Sequence, residues 1–464
     1  MELRIDRQAL VPVVQQIVDA LAGWIRQDAV EPGTRLPSIR QLARDNLLSQ
    51  ASVHEACQRL VAQGLLASRH GSSFFVARAA CVAGGSELVG SQDGMPGQEA
   101  PVDPARHVLK LGCGGLPESW RESDDLGYAI RQVTRTDMAG LFNYSTPLGL
   151  PALREQLAKR LKQLDIDADE NRILTTQGAT HALDLIVRTL LRPGCCVVVE
   201  SPGYSNLFNL LRLHKIDMIE LPRTPRGPDV DALQRLLATH RPSAIFINSA
   251  CHNPTGSSLV PSVAQRLLQL ASEHAMLVVE DDVYADFQGS TRARLAALDT
   301  DVIYLGSFSK TLSSSLRVGF IVAEPSVIAR LGEIKEITCM GASRFAESVL
   351  ATLLVNGAYR KLVQRQRQRL NADMAVALQL LEDADWKVFG KPAGGLFIWA
   401  RPPSCDYAQV QRLAGRCGIQ LSSRTAFSPS GAETDWLRVN VAYARDPRAL
   451  AFFRATALDR PQVS

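Results

Sequence analysis

Residues 304–320 read YLGSFSKTLSSSLRVGF, and the organisation of the chain follows from them. A β-branched and aromatic run, VIYLG, ends in a serine-rich turn that carries Lys310, one of nine lysines among 464 residues. A lysine held rigidly after a strand and kept partly unprotonated can condense with an aldehyde to a Schiff base. Ser307, Ser309 and Arg317 add hydroxyls and a fixed cation within a few residues, which is phosphate-binding chemistry. An SxSK string alone says little. The pieces around it carry the argument.

Working outward, ILTTQGATHALDLIV (173–187) sets Gly178, Ala179 and Thr180 where a strand gives way to a helix. Backbone N–H groups and the helix dipole there can receive a phosphate, although a plain strand–helix turn explains the same string. AIFINSACHNPTG (244–256) brings Asn253 after one strand, and AMLVVEDDVYADF (275–287) ends another with Asp281 and, three residues on, Tyr284. An aspartate at a strand end can pair with a pyridinium nitrogen, while Asn253 and Tyr284 can hold a phenolate oxygen. Asp281 beside Asp282 is equally consistent with a helix N-cap. Tyr204, in ESPGYSN (200–206), can stack on an aromatic ring. His181 and His252 are read as exposed structural neighbours, not catalysts.

From Val108 onward, helical patterns alternate with the short runs CVVVE, AIFIN, MLVVE and VIYLG, which predicts a parallel sheet covered by helices. Hydrophobic residues at 46% and charged residues at 21% exclude a wholly disordered chain, a collagen-like repeat and a coiled-coil rod. Lys plus Arg (51) against Asp plus Glu (47) leaves +4, so a nucleic-acid partner has to be met by a local patch. The start, MELRIDRQALVPVVQQ, lacks a basic segment followed by an apolar one, and no run approaches about 18 apolar residues. A cytoplasmic protein without a membrane partner is expected. Nine scattered cysteines, none in CxxC spacing, predict reduced structural thiols and no metal site, with Cys195 and Cys196 at the edge of a buried strand.

Residues 1–78 form a separate compositional unit with nine arginines, seven acids and no lysine. Apolar spacing predicts a first helix over about 11–28. EPGTRLPS then makes a turn, Ser38 caps a helix over 39–45, and Ser49 caps another over 51–63 that ends at Gly64. Two short apolar strands around His70 and Gly71 predict a hairpin. Three helices and a hairpin make a winged helix-turn-helix. Its second helix pair suits duplex DNA: Ser49, Gln50, Ser52 and His54 lie at the end that meets base edges. Arg40 and Arg44 can meet phosphates, and Arg69 and His70 at the hairpin tip can reach the backbone or minor groove. The same shape also serves protein–protein contacts. Residues 79–106 are rich in Gly, Pro, Ser and Ala without apolar period and read as a tether.

Two resemblances sharpen this reading. PGTRLPSIRQLAR, QRLVAQGLL and the His-Gly wing resemble the GntR-type winged helix across residues 8–78. That family often carries arginine near the start of the recognition helix, where this chain has Gln50 and His54, so base preference does not carry over. YSTPLGLPALREQLA, the GAT turn, ESPGY, NPTG, DDVY, SFSK…R and GGLFIW…WLRVNVAY resemble the fold-type I aminotransferases over about residues 108–455. That likeness implies an α/β body, with a mostly parallel sheet between helices and a smaller C-terminal α+β subdomain, that binds pyridoxal 5′-phosphate. It implies Lys310 as the Schiff-base lysine, Asp281 as the ring-nitrogen partner, Asn253 and Tyr284 on the ring oxygen, and Tyr204 stacked on the ring. Gly178, Ala179, Thr180, Ser307, Ser309 and Arg317 would form the phosphate cup. Arg438, in WLRVNV, matches the arginine that clamps a substrate carboxylate, with a buried structural ion pair as the rival reading. Tyr144 matches a phosphate ligand lent by a neighbouring subunit, which implies a homodimer.

A GntR-type reader (1–78), a tether (79–106) and an aminotransferase-like body (107–464) together resemble the MocR subfamily of bacterial regulators. The implied function is transcriptional regulation through DNA, responding to pyridoxal phosphate or to an amino-acid or amine effector, with the protein nucleoid-associated when bound. The alternative is a working aminotransferase with an accessory DNA-binding module.

Overall fold

The computed structural model describes residues 13–27, 33–62, 65–69, 73–76, 108–120, 124–288, 293–392, 394–403 and 406–458. Two units separate, residues 1–92 and 93–464. The division falls within the expected tether, which lies outside the described residues.

In the first unit, apolar residues at helical spacing give α1 (Val13–Gln27), α2 (Ile39–Asp45) and α3 (Gln50–Ala62). Both expected caps form: Ser38 Oγ accepts from the Gln41 N–H at 3.2 Å, and Ser49 Oγ from the Ser52 N–H at 2.9 Å. Ile17, Leu21, Leu42, Val53, Ala56 and Leu60 are closed off from water and hold the three helices together. The hairpin pairs β1 (Leu66–Arg69) with β2 (Ser73–Val76), antiparallel, with Leu66 opposite Val76. His70 and Gly71 lie outside the described residues. The stretch read as a turn does more than turn. The Gly33 N–H donates to Val76 O at 2.8 Å and the Leu36 N–H to Phe74 O at 2.9 Å, giving the edge of β2 the backbone partners it otherwise lacks.

The second unit is built on eight strands: β3 (Ile173–Thr176), β4 (Cys196–Ser201), β5 (Asp217–Thr224), β6 (Gly227–Pro228), β7 (Ala244–Asn248), β8 (Leu277–Asp281), β9 (Ile303–Ser307) and β10 (Gly319–Val322). Their order is β3-β10-β9-β8-β7-β4-β5-β6. The run β9-β8-β7-β4-β5 is parallel, β10 is antiparallel to both its neighbours, and β6 is antiparallel to β5. The central strands are apolar throughout because both faces are covered. Val198, Ile245 and Ile247 pack into one core, and Val197, Val199, Ala244 and Phe246 into another. A smaller antiparallel sheet of β11 (Lys387–Val388), β12 (Phe397–Arg401) and β13 (Leu437–Asn440) packs with the helices Ala358–Asp383 and Pro447–Leu458 around a third core. Asn248, Asp281 and Ser307 therefore stand together at the carboxyl ends of β7, β8 and β9, where open α/β sheets bind ligands. No described helix is long and apolar enough to cross a membrane.

Candidate functional site

A cavity of about 560 Å³ opens at those strand ends. Of the residues singled out from the sequence, Ala179, Thr180, Tyr204, Asn253, Asp281, Tyr284, Ser307, Ser309, Lys310 and Arg317 line it. They come from segments up to 138 positions apart (179 to 317). Only the sheet brings them together.

Lys310 lies three residues beyond β9, and its Nζ donates to Gly114 O at 2.9 Å, 6.0 Å from the centre of the Tyr284 ring. Asp281 closes β8, with Oδ1 accepting from the Val283 N–H at 3.1 Å. Burial pushes its carboxyl up to about 7, the Val283 N–H opposes the rise, Asp282 adds to it and Lys310 opposes it. A carboxyl so placed is poised to ionise fully once a cation faces it. Tyr284 is buried edge-on to Phe397 at 5.5 Å between ring centres, and burial raises its phenol well above the ordinary range. Tyr204 is also raised by burial, with Thr180 and Asn206 opposing the rise.

Gly178 (φ +87°) precedes the helix Ala179–Leu190. The Arg317 guanidinium donates to Gln177 O at 3.1 Å and to Ser309 Oγ at 3.3 Å, and the Ser309 N–H donates to Ser307 Oγ at 3.2 Å. A Cβ on residue 178 would lie 2.7 Å from Arg317 Nη2, so only glycine leaves room for this cradle of helix N-terminus, hydroxyls and cation. The donor set fits a phosphate, Asp281 fits a ring nitrogen and Lys310 fits an aldehyde.

Arg438 enters from β13, stacked 4.9 and 5.0 Å from the ring centres of Phe397 and Phe427. Its Nε and Nη2 donate to Gly112 O at 3.0 and 2.7 Å, and its Nη1 to Asn253 Oδ1 at 2.8 Å. A Cβ on Gly114 would lie 3.7 Å from both Arg438 Nη1 and Lys310 Nζ, so the two cations flank one glycine. Tyr144 stands elsewhere, 78% exposed, on a segment pinned from behind by Glu347, which accepts from Ser145 Oγ, Thr175 Oγ1 and the Leu150 N–H.

Sequence reasoning missed three contributors. The strap Gly112–Gly115 borders the cavity at Gly115, and Asn440 Nδ2 holds it by Cys113 O at 3.0 Å and Gly115 O at 2.8 Å. The glycine-rich string LGCGG, directly after the tether, was the available signal. Asn248 donates to Asp281 O at 2.7 Å and accepts from the Asn253 N–H at 2.8 Å, joining two site residues through one amide. Beneath it, the buried Glu200–Arg223 pair holds the Asn248 backbone, with Glu200 accepting its N–H at 2.8 Å. His252, read as exposed, is buried against Thr255 Oγ1 at 2.8 Å, and burial drives its imidazole well below the ordinary range. His181 accepts from the Gln177 N–H at 3.0 Å and does not line the cavity.

In the first unit, Arg40 and Arg44 are exposed on α2, and Gln50 and His54 are exposed one turn apart on α3. The His54 ring stands edge-on to Phe74 at 6.2 Å, which ties the recognition helix to the wing. The Ser49 and Ser52 hydroxyls bond to each other at 2.8 Å, so both are engaged in the cap. Arg69 ends β1; nothing further is described of its side chain.

Residues 106–449 match the family of aminotransferase class I and II, and residues 13–76 match the gntR family of bacterial regulatory proteins. The uncharacterised HTH-type regulator YisV of Bacillus subtilis is 27% identical over 85% of each chain, and the probable rhizopine catabolism regulator MocR of Rhizobium meliloti is 28% identical over 86% of this chain and 83% of its own.

The chain belongs to the gntR regulators of the MocR type.

As a MocR-type regulator it joins a DNA-binding reader to an aminotransferase-like body whose cofactor is pyridoxal phosphate. The body matches the kynurenine aminotransferase of Pyrococcus horikoshii, solved with PMP, at TM-score 0.70 and 27% identity over 76% of this chain and 91% of that one. Fold and cofactor of this MocR-type chain thus agree with the chemistry of its cavity.

Proposed function

We propose that this regulator senses an amino acid or related carboxylated amine at the Lys310 site and changes its grip on DNA in response. The observation that carries the reading is the convergence of Lys310 and Arg438 on Gly114, an amine for an aldehyde beside a cation for a carboxylate. When bound, the cofactor supplies an aldehyde and a ring that withdraws electrons from it. Lys310 is the amine that engages it, Asp281 pairs with its ring nitrogen, Asn253 and Tyr284 hold its ring oxygen, and Tyr204 stacks on the ring. Gly178, Ala179 and Thr180, with Ser307, Ser309 and Arg317, hold the phosphate.

An arriving carboxylate competes with the Gly112 carbonyl for Arg438, and engagement of Lys310 takes its amine from the Gly114 carbonyl. The first glycine of the strap is then freed from Arg438, while Asn440 keeps its hold on Cys113 O and Gly115 O. The strap starts four residues beyond Val108, the first described residue after the tether, with Leu109 paired to Gly418 and Gln420 between them; effector binding there biases two states by differential affinity.

The working unit is a homodimer in which Tyr144 completes the phosphate site of the second subunit. Its support is an exposed phenol on a segment held rigid by Glu347, beside exposed Phe142, Ile337 and Met340. Gln50 and His54 read bases while Arg40, Arg44, Arg69 and His70 meet the backbone, with Ser49 and Ser52 shaping the helix start. The domain limits are 1–78, 79–106 and 107–464, and the protein works in the cytoplasm, at the nucleoid when bound to DNA. Transamination is the second reading, favoured by the presence of Lys310, Asp281, Tyr284 and Arg438 in one site; steady turnover of amino and keto acids would reveal it.

The test is a DNA shift with the chain's own upstream region, with and without pyridoxal phosphate and amino acids, on the parent and Lys310→Ala. Cofactor-dependent and amine-dependent shifts that vanish in Lys310→Ala are expected. Identical shifts under all conditions would sink the sensor.

A further inference from the structure

Resting on the sensor reading, we infer that the effector is a neutral amino acid with a sizeable apolar side chain. The charged side chains among the described lining residues are Asp281, Lys310 and Arg317, which face the cofactor's ring nitrogen, aldehyde and phosphate. All three have work to do for the cofactor. The apolar lining is dominated by Leu116, Trp120, Leu126, Leu312 and Leu362, with Gln366, Thr311 and Ser313 as neutral polar neighbours.

Gln366 is neutral and fixed, donating from Nε2 to Thr311 O at 2.7 Å, and stands one helical turn from Leu362. Trp120 is buried and backed by the Arg369 guanidinium 4.1 Å from its ring centre, so it is a fixed wall. Arg438 stands behind the cavity lining, bonded to Asn253 and beside Gly114, and is committed to the effector's own carboxylate. A second carboxylate on the effector would find no uncommitted cation among the described lining residues, and an ammonium would find no uncommitted anion. Either charge would sit among leucines with only neutral polar groups, the Gln366 amide among them, to meet it, an outcome disfavoured.

The apolar wall also joins two cores. Leu126, Leu312 and Leu362 belong to the core under the large sheet, and Leu116 and Trp120 to that of the smaller subdomain. A side chain lodged between them loses water contact with both. Each buried methylene is then worth about fourfold in affinity. Apolar bulk on the effector therefore draws the two subdomains together, and that is the motion a sensor needs.

The experiment titrates cofactor-loaded, full-length protein with alanine, norvaline, leucine, phenylalanine, aspartate, glutamate and lysine, reading the absorbance of the bound cofactor and the DNA shift. Potency is expected to rise severalfold per added methylene and to be at least hundredfold lower for the three charged amino acids. Leu126→Arg, on a half-buried helix face, is expected to weaken leucine and to gain glutamate, with cofactor absorbance reporting that the site still forms. Leu126→Ala is expected to lose severalfold for phenylalanine and little for alanine. Equal potency of charged and apolar amino acids overturns this inference and leaves the sensor standing. Silence toward every amino acid, with cofactor attached, overturns both.

Discussion

Replacing Asp281 by asparagine separates what a buried carboxylate costs from what it does. Burial raises its carboxyl from an ordinary 3.8 to about 7. A group that holds its proton more tightly in the folded than in the unfolded chain removes stability as pH climbs from about 4 to about 7, and the loss persists above. At 1.36 kcal/mol per tenfold change, the span is worth at most about 4 kcal/mol, less whatever water relieves through the cavity, since the residue is only half-buried. Cofactor-free Asp281→Asn is therefore expected to exceed the parent in stability at pH 8 and to converge with it toward pH 4. Glu280, raised to about 7 chiefly by burial, leaves a shared slope in both proteins. Loading the cofactor reverses the ranking at pH 8, because the parent's carboxylate then faces the ring's cation and the amide does not. Urea melts from pH 5 to 8.5, with and without pyridoxal phosphate, measure both halves. A cofactor-free variant no more stable than the parent at pH 8 would refute the burial argument. An unreversed ranking in the loaded proteins would refute the pairing.

Arg438→Ala is expected to keep covalent cofactor attachment and to weaken the response to carboxylated amines about ten- to hundredfold, the worth of a charge-assisted pair; spectral titration reads it, and loss of attachment would mark the arginine as structural. Arg40→Ala and Arg44→Ala are each expected to lower the slope of log affinity against log salt by about 0.9 on operator DNA, and an unchanged slope would remove that residue from the phosphate contacts. Ser49→Ala is expected to cost about 1 kcal/mol of α3 stability and to speed amide exchange in its first turn, with Ser49→Asn restoring protection; equal exchange in all three would deny the cap.

Much of the architecture was legible because its signals are local. Helical spacing and two serine caps defined the three-helix reader, and apolar runs bounded by turns marked β4, β7, β8 and β9. The pairing of Gly33–Leu36 with β2 was not legible, since a turn string says nothing of which edge it will satisfy. His252 misled for a related reason: a polar residue beside NPTG reads as surface, but the chain folds that loop inward over Glu200 and Arg223.

The chain's order of residues, taken alone, determined the types of group available: an amine after a strand, an acid at a strand end, a glycine before a helix, an arginine near the C-terminal end. Tertiary structure decided which of them meet. Nothing local relates Arg438 to Asn253, Lys310 to the Gly114 carbonyl or Arg438 to the Gly112 carbonyl, because those contacts span roughly 185 to 326 positions and arise only when β13 and the strap meet the strand ends. Apolar placement followed the same rule. A leucine pattern announces burial, but only the packing of two subdomains brings five apolar side chains together beside a cofactor site.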